Sequence, residues 1–319
     1  MNDNDQKKNV ESKLDSLWRN VKTYRSSKQY MEVLNACVNF RDLAPYNALL
    51  VELQRPGAQY VLSESEWRNR YDRGIKPNAI PIIVLFPFGP VDFLFEIGDT
   101  YPLNTQLFTI DENKIIEELA APYKTKNNVS DKDLDRLISN LGVHGIYIDD
   151  KMVAGADYAA KIQILEGQPY KIPVYINKKI TINWPAYYLL SVNKNAEKGE
   201  CFASICHELG HLFCYHLRCL GNVDPWCVRI PPYAVKEFEA ESVSWLICER
   251  LGIGNPSEKY LSNYVSDNNE IPPGISIERV LSAANEIWKL CTLNLSYREG
   301  LLYKHCGDFV EEVKKRRDE

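Results

Sequence analysis

Histidine is scarce in this chain, five in 319 residues, so any two that stand at ligand spacing attract notice. No apolar run approaches the roughly 20 residues a helix needs to cross a bilayer, which argues against a membrane partner. The first residues, Met1-Asn-Asp-Asn-Asp-Gln-Lys-Lys-Asn, are polar and do not read as a signal peptide, so the expected location is cytoplasmic. No C-x-x-C pair occurs, which disfavours a cysteine zinc site, and there is no phosphate-binding glycine loop, internal repeat or low-complexity segment. Strong charge of either sign is also missing. A net charge of −5 gives no broad attraction for nucleic acid. Nine cysteines are present, eight of them from Cys201 onward, and Cys206, Cys214 and Cys248 lie in apolar stretches. That placement favours buried, reduced thiols, and Cys206 in particular reads as packing rather than as a nucleophile.

What the chain does have is Cys206-His-Glu-Leu-Gly-His211. Residues four apart on a helix share a face, so His207 and His211 can direct two imidazoles at one divalent ion. Glu208, one step round, is then free to take a proton from a water that the metal activates. The flanking residues, Cys201-Phe-Ala-Ser-Ile205 and Leu212-Phe-Cys-Tyr215, are largely apolar and predict a buried helix. Two unpartnered imidazoles and an acid in such a place would be costly, whereas Zn2+ would satisfy them.

Catalytic zinc keeps three protein ligands and one open position. The metzincin positions for a glycine and a third histidine are occupied by Cys214 and Leu217, so the third ligand must come from elsewhere. The first helix is expected to end at Gly221-Asn222 and a second to run from Tyr233 to Leu251, carrying Glu237, Glu239 and Glu241. Glu237 and Glu241 share a face and Glu239 points the other way. Our reading takes Glu241 as the ligand and Glu237 as partner to a ligating histidine, with Glu239 as the alternative. The arrangement resembles that of gluzincins, in which a glutamate on a following helix completes the site.

The same residues, continued through Glu239-Ala-Glu-Ser-Val-Ser-Trp-Leu-Ile-Cys248, resemble the zinc peptidase domain of the ImmA/IrrE metallopeptidases and the ArdC-like antirestriction proteins. Many members carry a further histidine four residues after the second ligand. Here that slot is Tyr215, and His216 follows it. Upstream, Asn39-Phe40, Tyr46-Asn-Ala-Leu-Leu50, Gln54-Arg-Pro56, Ala58 and Trp67 resemble the N-terminal domain of ArdC-like proteins, which the family associates with single-stranded DNA. Tyr46, Tyr60 and Trp67 are the candidates for stacking on bases, although aromatics also dominate cores. Basic residues in the corresponding turn are reduced to Arg73-Gly-Ile-Lys-Pro77.

Helices are expected over Glu11–Ser26, Lys28–Asp42, Pro45–Pro56, Asp111–Ala121 and Ser130–Gly142, and a hairpin over Ile80–Phe86 and Val91–Ile97. The polar stretch from Pro122 to Ser130 reads as a linker. Short strands are expected at Ile146–Ile148, Ala160–Leu165, Ile172–Ile176 and Tyr187–Val192, then helices at Pro256–Val265, Ile275–Leu290 and Tyr297–Lys315. The expected fold class is therefore α+β: a smaller N-terminal domain over 1–125 and a zincin-like metallopeptidase domain over 126–319, with a mixed sheet, an active-site helix and a glutamate helix. The expected function is zinc-dependent hydrolysis of peptide bonds in a protein substrate. His207, His211 and Glu241 would hold the ion, Glu208 would move the proton, and Tyr233 or His216 would be weak candidates to stabilise the oxyanion. The alternative reading is a single-stranded-DNA-binding antirestriction or stress-response protein whose zinc domain is mainly structural.

Overall fold

The computed structural model describes residues 26–86, 89–103, 114–116, 129–152, 159–165, 170–193, 195–217, 230–253 and 268–318. The chain divides into two compact units, Met1–Thr125 and Lys126–Glu319, and both mix helices with small sheets. The helix expected over Glu11–Ser26 lies, apart from Ser26, outside the described residues, as do the one over Pro256–Val265 and most of the one over Asp111–Ala121. No helix among the described residues is long and apolar enough to cross a membrane.

In the first unit, α1 (Ser27–Asn39) and α2 (Pro45–Gln54) precede β1 (Val61–Ser63), α3 (Glu64–Tyr71), β2 (Arg73–Ile75), β3 (Ile82–Phe86), β4 (Gly89–Glu96) and β5 (Thr100–Pro102). Pro45 opens α2, where its missing N–H costs nothing. The expected hairpin forms as β3 and β4, in a sheet of order β1-β4-β3. Phe40, Ala48, Val51, Ile82, Val84 and Leu94 make its core. Among the described residues β3 is an edge strand, and α2 covers that edge with two amides. Gln54 donates to Ile83 O at 2.7 Å and accepts from Ile83 N at 3.0 Å, while Asn47 does the same to Leu85 at 2.9 and 3.0 Å. The two side chains thus satisfy the backbone groups that a further strand would have used. Trp67 is fully buried, its indole N–H donating to Phe95 O at 2.7 Å. It is a core residue and offers no surface for base stacking.

In the second unit, α4 (Asp131–Asn140) is capped by Ser130, which accepts from Asp133 N. The strands follow as β6 (Ile146–Met152), β7 (Ala160–Ile164), β8 (Lys171–Tyr175), β9 (Thr181–Pro185) and β10 (Tyr188–Asn193). β10 lies between β6, to which it is parallel, and β7, to which it is antiparallel. β8 and β9 form a separate hairpin, turned by Asn177, whose side chain accepts from Lys179 N and Ile180 N. β9 was absent from the sequence expectation even though Thr181-Ile-Asn-Trp184 alternates.

The helices α5 (Lys198–Phe213), α6 (Tyr233–Leu251) and α7 (Ile277–Thr292) pack on one another, and α5 also lies against β7 and β10. The single helix expected over Tyr297–Lys315 is instead broken into α8 (Leu301–His305) and α9 (Gly307–Asp318), because Cys306 takes an extended conformation. Gly300, just before α8, abuts Val143: a Cβ there would sit 2.0 Å from Val143 O.

His144 lies in this packing, edge-on to Phe213 at a ring separation of 5.2 Å, with its Nδ1 accepting from Leu301 N. Burial, reinforced by Lys304 and Lys289, lowers its pKa to about 3. The unfolded chain takes up this proton near the ordinary histidine pKa of about 6.5, and the folded chain does not. Above that pH the group leaves stability untouched. Below it, stability falls by about 1.4 kcal/mol per pH unit down to about pH 3. Denaturant unfolding from pH 7 to 4 is expected to show this slope, and His144→Gln should remove that share of it. An unchanged pH dependence in the variant would contradict the assignment.

Candidate metal centre

On α5 the apolar residues Phe202, Ile205, Cys206, Leu209, Leu212 and Phe213 are buried. Ser204, His207, Glu208 and His211, at helical spacing i, i+3, i+4 and i+7, form a half-buried polar stripe. Cys206 lies on the buried side, where burial holds its thiol well above the usual range, as expected for a packing residue. The facing side of α6 is Glu237, Ala240, Glu241 and Ser244, again at i, i+3, i+4 and i+7.

The two helices meet at backbone distance. A Cβ on Gly210 would lie 3.1 Å from Ala240 Cα and 3.2 Å from Ala240 O, so the glycine inside the His-Glu-Leu-Gly-His motif is what lets α6 approach. Ser244 Oγ donates to Ala203 O at 2.8 Å and locks the pair one turn further on.

This approach brings His207, His211 and Glu237 together. The Nε2 atoms of the two rings stand 3.1 Å apart, and the Glu237 carboxylate oxygens lie 3.5 Å from His207 Nε2 and 3.6 Å from His211 Nε2. Ligands bound tetrahedrally at 2.0–2.1 Å stand about 3.3 Å from one another, so the spacing suits one small ion. The charge balance suits it too. Burial opposes a charged His207, yet Glu237, Glu241 and Glu208 together outweigh burial and hold its pKa up to about 10. Burial likewise works to raise Glu237, but His207 and His211 draw it down to about 2. Without an ion, the cluster keeps a single positive charge on an imidazole, at the place where a divalent cation would bring two.

Glu241 is not in the cluster. Its Oε1 lies 3.2 Å from His207 Nδ1, on the far side of the ring and out of line with the ring N–H. The geometry thus groups Glu237, rather than the expected Glu241, with the two Nε2 atoms. Both sit on the right face of α6, and the contact at Gly210 and Ala240 sets which of the two is level with the Nε2 atoms. Glu239 faces away, fully buried, and meets His216.

α5 ends at Phe213, well before the expected Gly221-Asn222. Tyr215 takes the left-handed conformation (φ 63°), with Tyr215 N bonded to Leu212 O and His216 N to His211 O. This is a Schellman turn built without glycine, and it folds His216 back onto His211. Arg279 stacks over the Tyr215 ring at 4.5 Å. The turn leaves His216 buried behind His211, whereas Tyr233, the first residue of α6, is 72% exposed.

Glu208 accepts from Ile162 N at 2.9 Å. Leu165 N bonds to Tyr187 O and Asn193 N to Ala159 O, so residues 159, 161, 163 and 165 face β10. Ala160, Ile162 and Ile164 therefore turn their N–H and C=O groups outward. Among the described residues β7 pairs only with β10, which makes it the edge strand beside the cluster. Gly210→Ala is expected to push α6 outward, lowering stability by about 1–3 kcal/mol and weakening metal uptake in parallel. Thermal unfolding with metal titration checks this, and wild-type values for both would contradict it.

Searches against protein-family models, curated proteins and solved structures give no match to this chain.

Proposed function

We propose that this chain is a zinc-dependent peptidase. The observation that carries the proposal is the meeting of two imidazoles and one carboxylate at ligand spacing, next to a second glutamate that accepts from the outward side of β7. His207, His211 and Glu237 would hold the ion. Bound there, zinc supplies Lewis acidity, which acidifies water and polarises a carbonyl.

The chain's own groups account for the rest of the chemistry. Glu208 stays outside the ligand set and is the proton carrier, taking a proton from the attacking water and giving it to the departing amine. The outward N–H and C=O groups of Ala160 and Ile164, with the C=O of Ile162, would hold an extended peptide by main-chain pairing, the mode in which a strand adds to a sheet edge. Because Ile162 N–H already engages Glu208, a peptide laid along β7 runs past the proton carrier. Glu241 Oε1 stands 3.2 Å behind His207 Nδ1 and would align with that ring N–H once Nε2 is given to the ion. The substrate supported by this arrangement is an unfolded or extended segment of a protein.

Of the residues that suggested the alternative, a single-stranded-DNA-binding protein, Tyr46 and Tyr60 are half-buried and keep part of their rings at the surface, while the others are engaged within the fold. Trp67 is buried, and Asn47 and Gln54 are committed to the β3 edge. Arg73 is buried with its guanidinium on Thr100.

Metal analysis of the purified chain and cleavage of a mixture of internally quenched peptides test the proposal. Wild type should bind zinc and cleave. Glu208→Gln should bind zinc equally and lose at least about 10²-fold in rate. Glu237→Ala should lose the ion, while Glu241→Ala should keep it with affinity reduced about 10- to 100-fold. Undiminished cleavage by Glu208→Gln, or zinc held tightly by Glu237→Ala and lost from Glu241→Ala, would overturn the assignment.

A further inference from the structure

We infer that His216 and Glu239 are positioning residues that brace the ion site from behind, joining His211 to the start of α7. The inference rests on the peptidase reading only through the ligand role of His211. His211 Nδ1 lies 3.0 Å from His216 Nδ1, His216 Nε2 lies 2.8 Å from Glu239 Oε2, and Glu239 Oε1 accepts from Ser276 N at 2.7 Å. Ser276 is the N-cap residue of α7. The His216 and Glu239 side chains are essentially without solvent exposure.

Counting protons orders this chain of contacts. If His211 gives Nε2 to an ion, its one ring proton is on Nδ1 and must be donated. His216 Nδ1 must then accept it, so the proton of His216 is on Nε2, where it is donated to Glu239. The second oxygen of Glu239 takes the backbone N–H of Ser276. Every contact then has one donor and one acceptor, and the ring of His211 is fixed in both tautomer and rotation.

The same count decides against a different use of these residues. Cys214, His216 and Glu239 are themselves close enough to hold an ion. An ion on His216 Nε2 would move the His216 proton to Nδ1, where it would face the Nδ1 proton of His211 across 3.0 Å. The site therefore holds one ion rather than two. Each ligating histidine has a carboxylate behind it: Glu241 stands against His207 directly, and Glu239 supports His211 through an interposed imidazole. Interposition is needed because Glu239 lies on the side of α6 away from Glu237 and Glu241, and the turn at Tyr215 supplies the missing ring.

The test is a competition titration of zinc against a chelating dye, using the full chain as wild type, His216→Ala, His216→Asn and Glu239→Gln. Visible spectra of the cobalt(II)-loaded proteins are recorded alongside. Wild type is expected to take up one zinc. His216→Ala should bind about 10- to 100-fold more weakly and show shifted cobalt bands. His216→Asn, whose amide oxygen stands where Nδ1 stood, should recover much of both, and Glu239→Gln should fall between. Melting of the ion-free proteins identifies any variant that fails to fold, in which case the Asn and Gln variants carry the comparison. Folded variants with zinc affinity within about twofold of wild type and unchanged cobalt bands overturn the brace. Uptake of two zinc ions, with the second lost in His216→Ala, overturns it by making the rear cluster a site of its own. A wild type that takes up no zinc is a different failure, that of the ion site itself, and it shows before any variant is compared.

Discussion

Everything in the second unit that concerns chemistry depends on the approach of two helices at Gly210 and Ala240. With no side chain at Gly210, α6 comes within contact of the α5 backbone, and the carboxylates of Glu237 and Glu241 reach the two imidazoles of α5. Such a cluster is unfavourable when judged as packing alone. Two half-buried rings and two half-buried acids each lose hydration that neighbouring dipoles only partly replace. What offsets that cost is positive charge held at the centre. The raised pKa of His207 and the lowered pKa of Glu237 are the response of the ion-free protein to the same demand.

The layers around the centre follow from this constraint. α5 buries its apolar side and presents a polar stripe, and β7 meets that stripe with the side that, among the described residues, no strand pairs. α7 supports the rear through Ser276, Glu239 and His216. Its contact with Arg279 over Tyr215 also helps to hold the left-handed turn that a tyrosine adopts at some cost. Gly210 and Tyr215 thus play opposite parts: a glycine where side-chain bulk would separate helices, and a bulky residue where a glycine would be the easier choice.

The local parts of this arrangement were legible in the sequence. Spacing alone puts His207 and His211 on one face, and alternation with flanking turns marks most strands. The parts that depend on how elements sit against each other were not legible. Glu237 and Glu241 are equivalent on a helical wheel, and only the axial offset of α6 against α5 separates them. The end of α5 is not legible because a glycine is the usual signal for helix termination, whereas here the Schellman turn forms at Tyr215. That turn is also why the residue five after His211, and not four, returns to it. In the first unit, Asn47, Gln54 and Trp67 carried a resemblance to a DNA-associated domain, but their polar groups are used within the fold. What these three residues identify is an architecture of helix over strand edge.

The most direct measurement of the central claim is anomalous diffraction at the zinc edge from crystals of the zinc-loaded chain. The account predicts a single ion peak about 2.0–2.2 Å from His207 Nε2, His211 Nε2 and a Glu237 oxygen, with Glu241 outside the ligand set. A peak coordinated by Glu241 in place of Glu237, a peak among Cys214, His216 and Glu239, or no peak at all would contradict it.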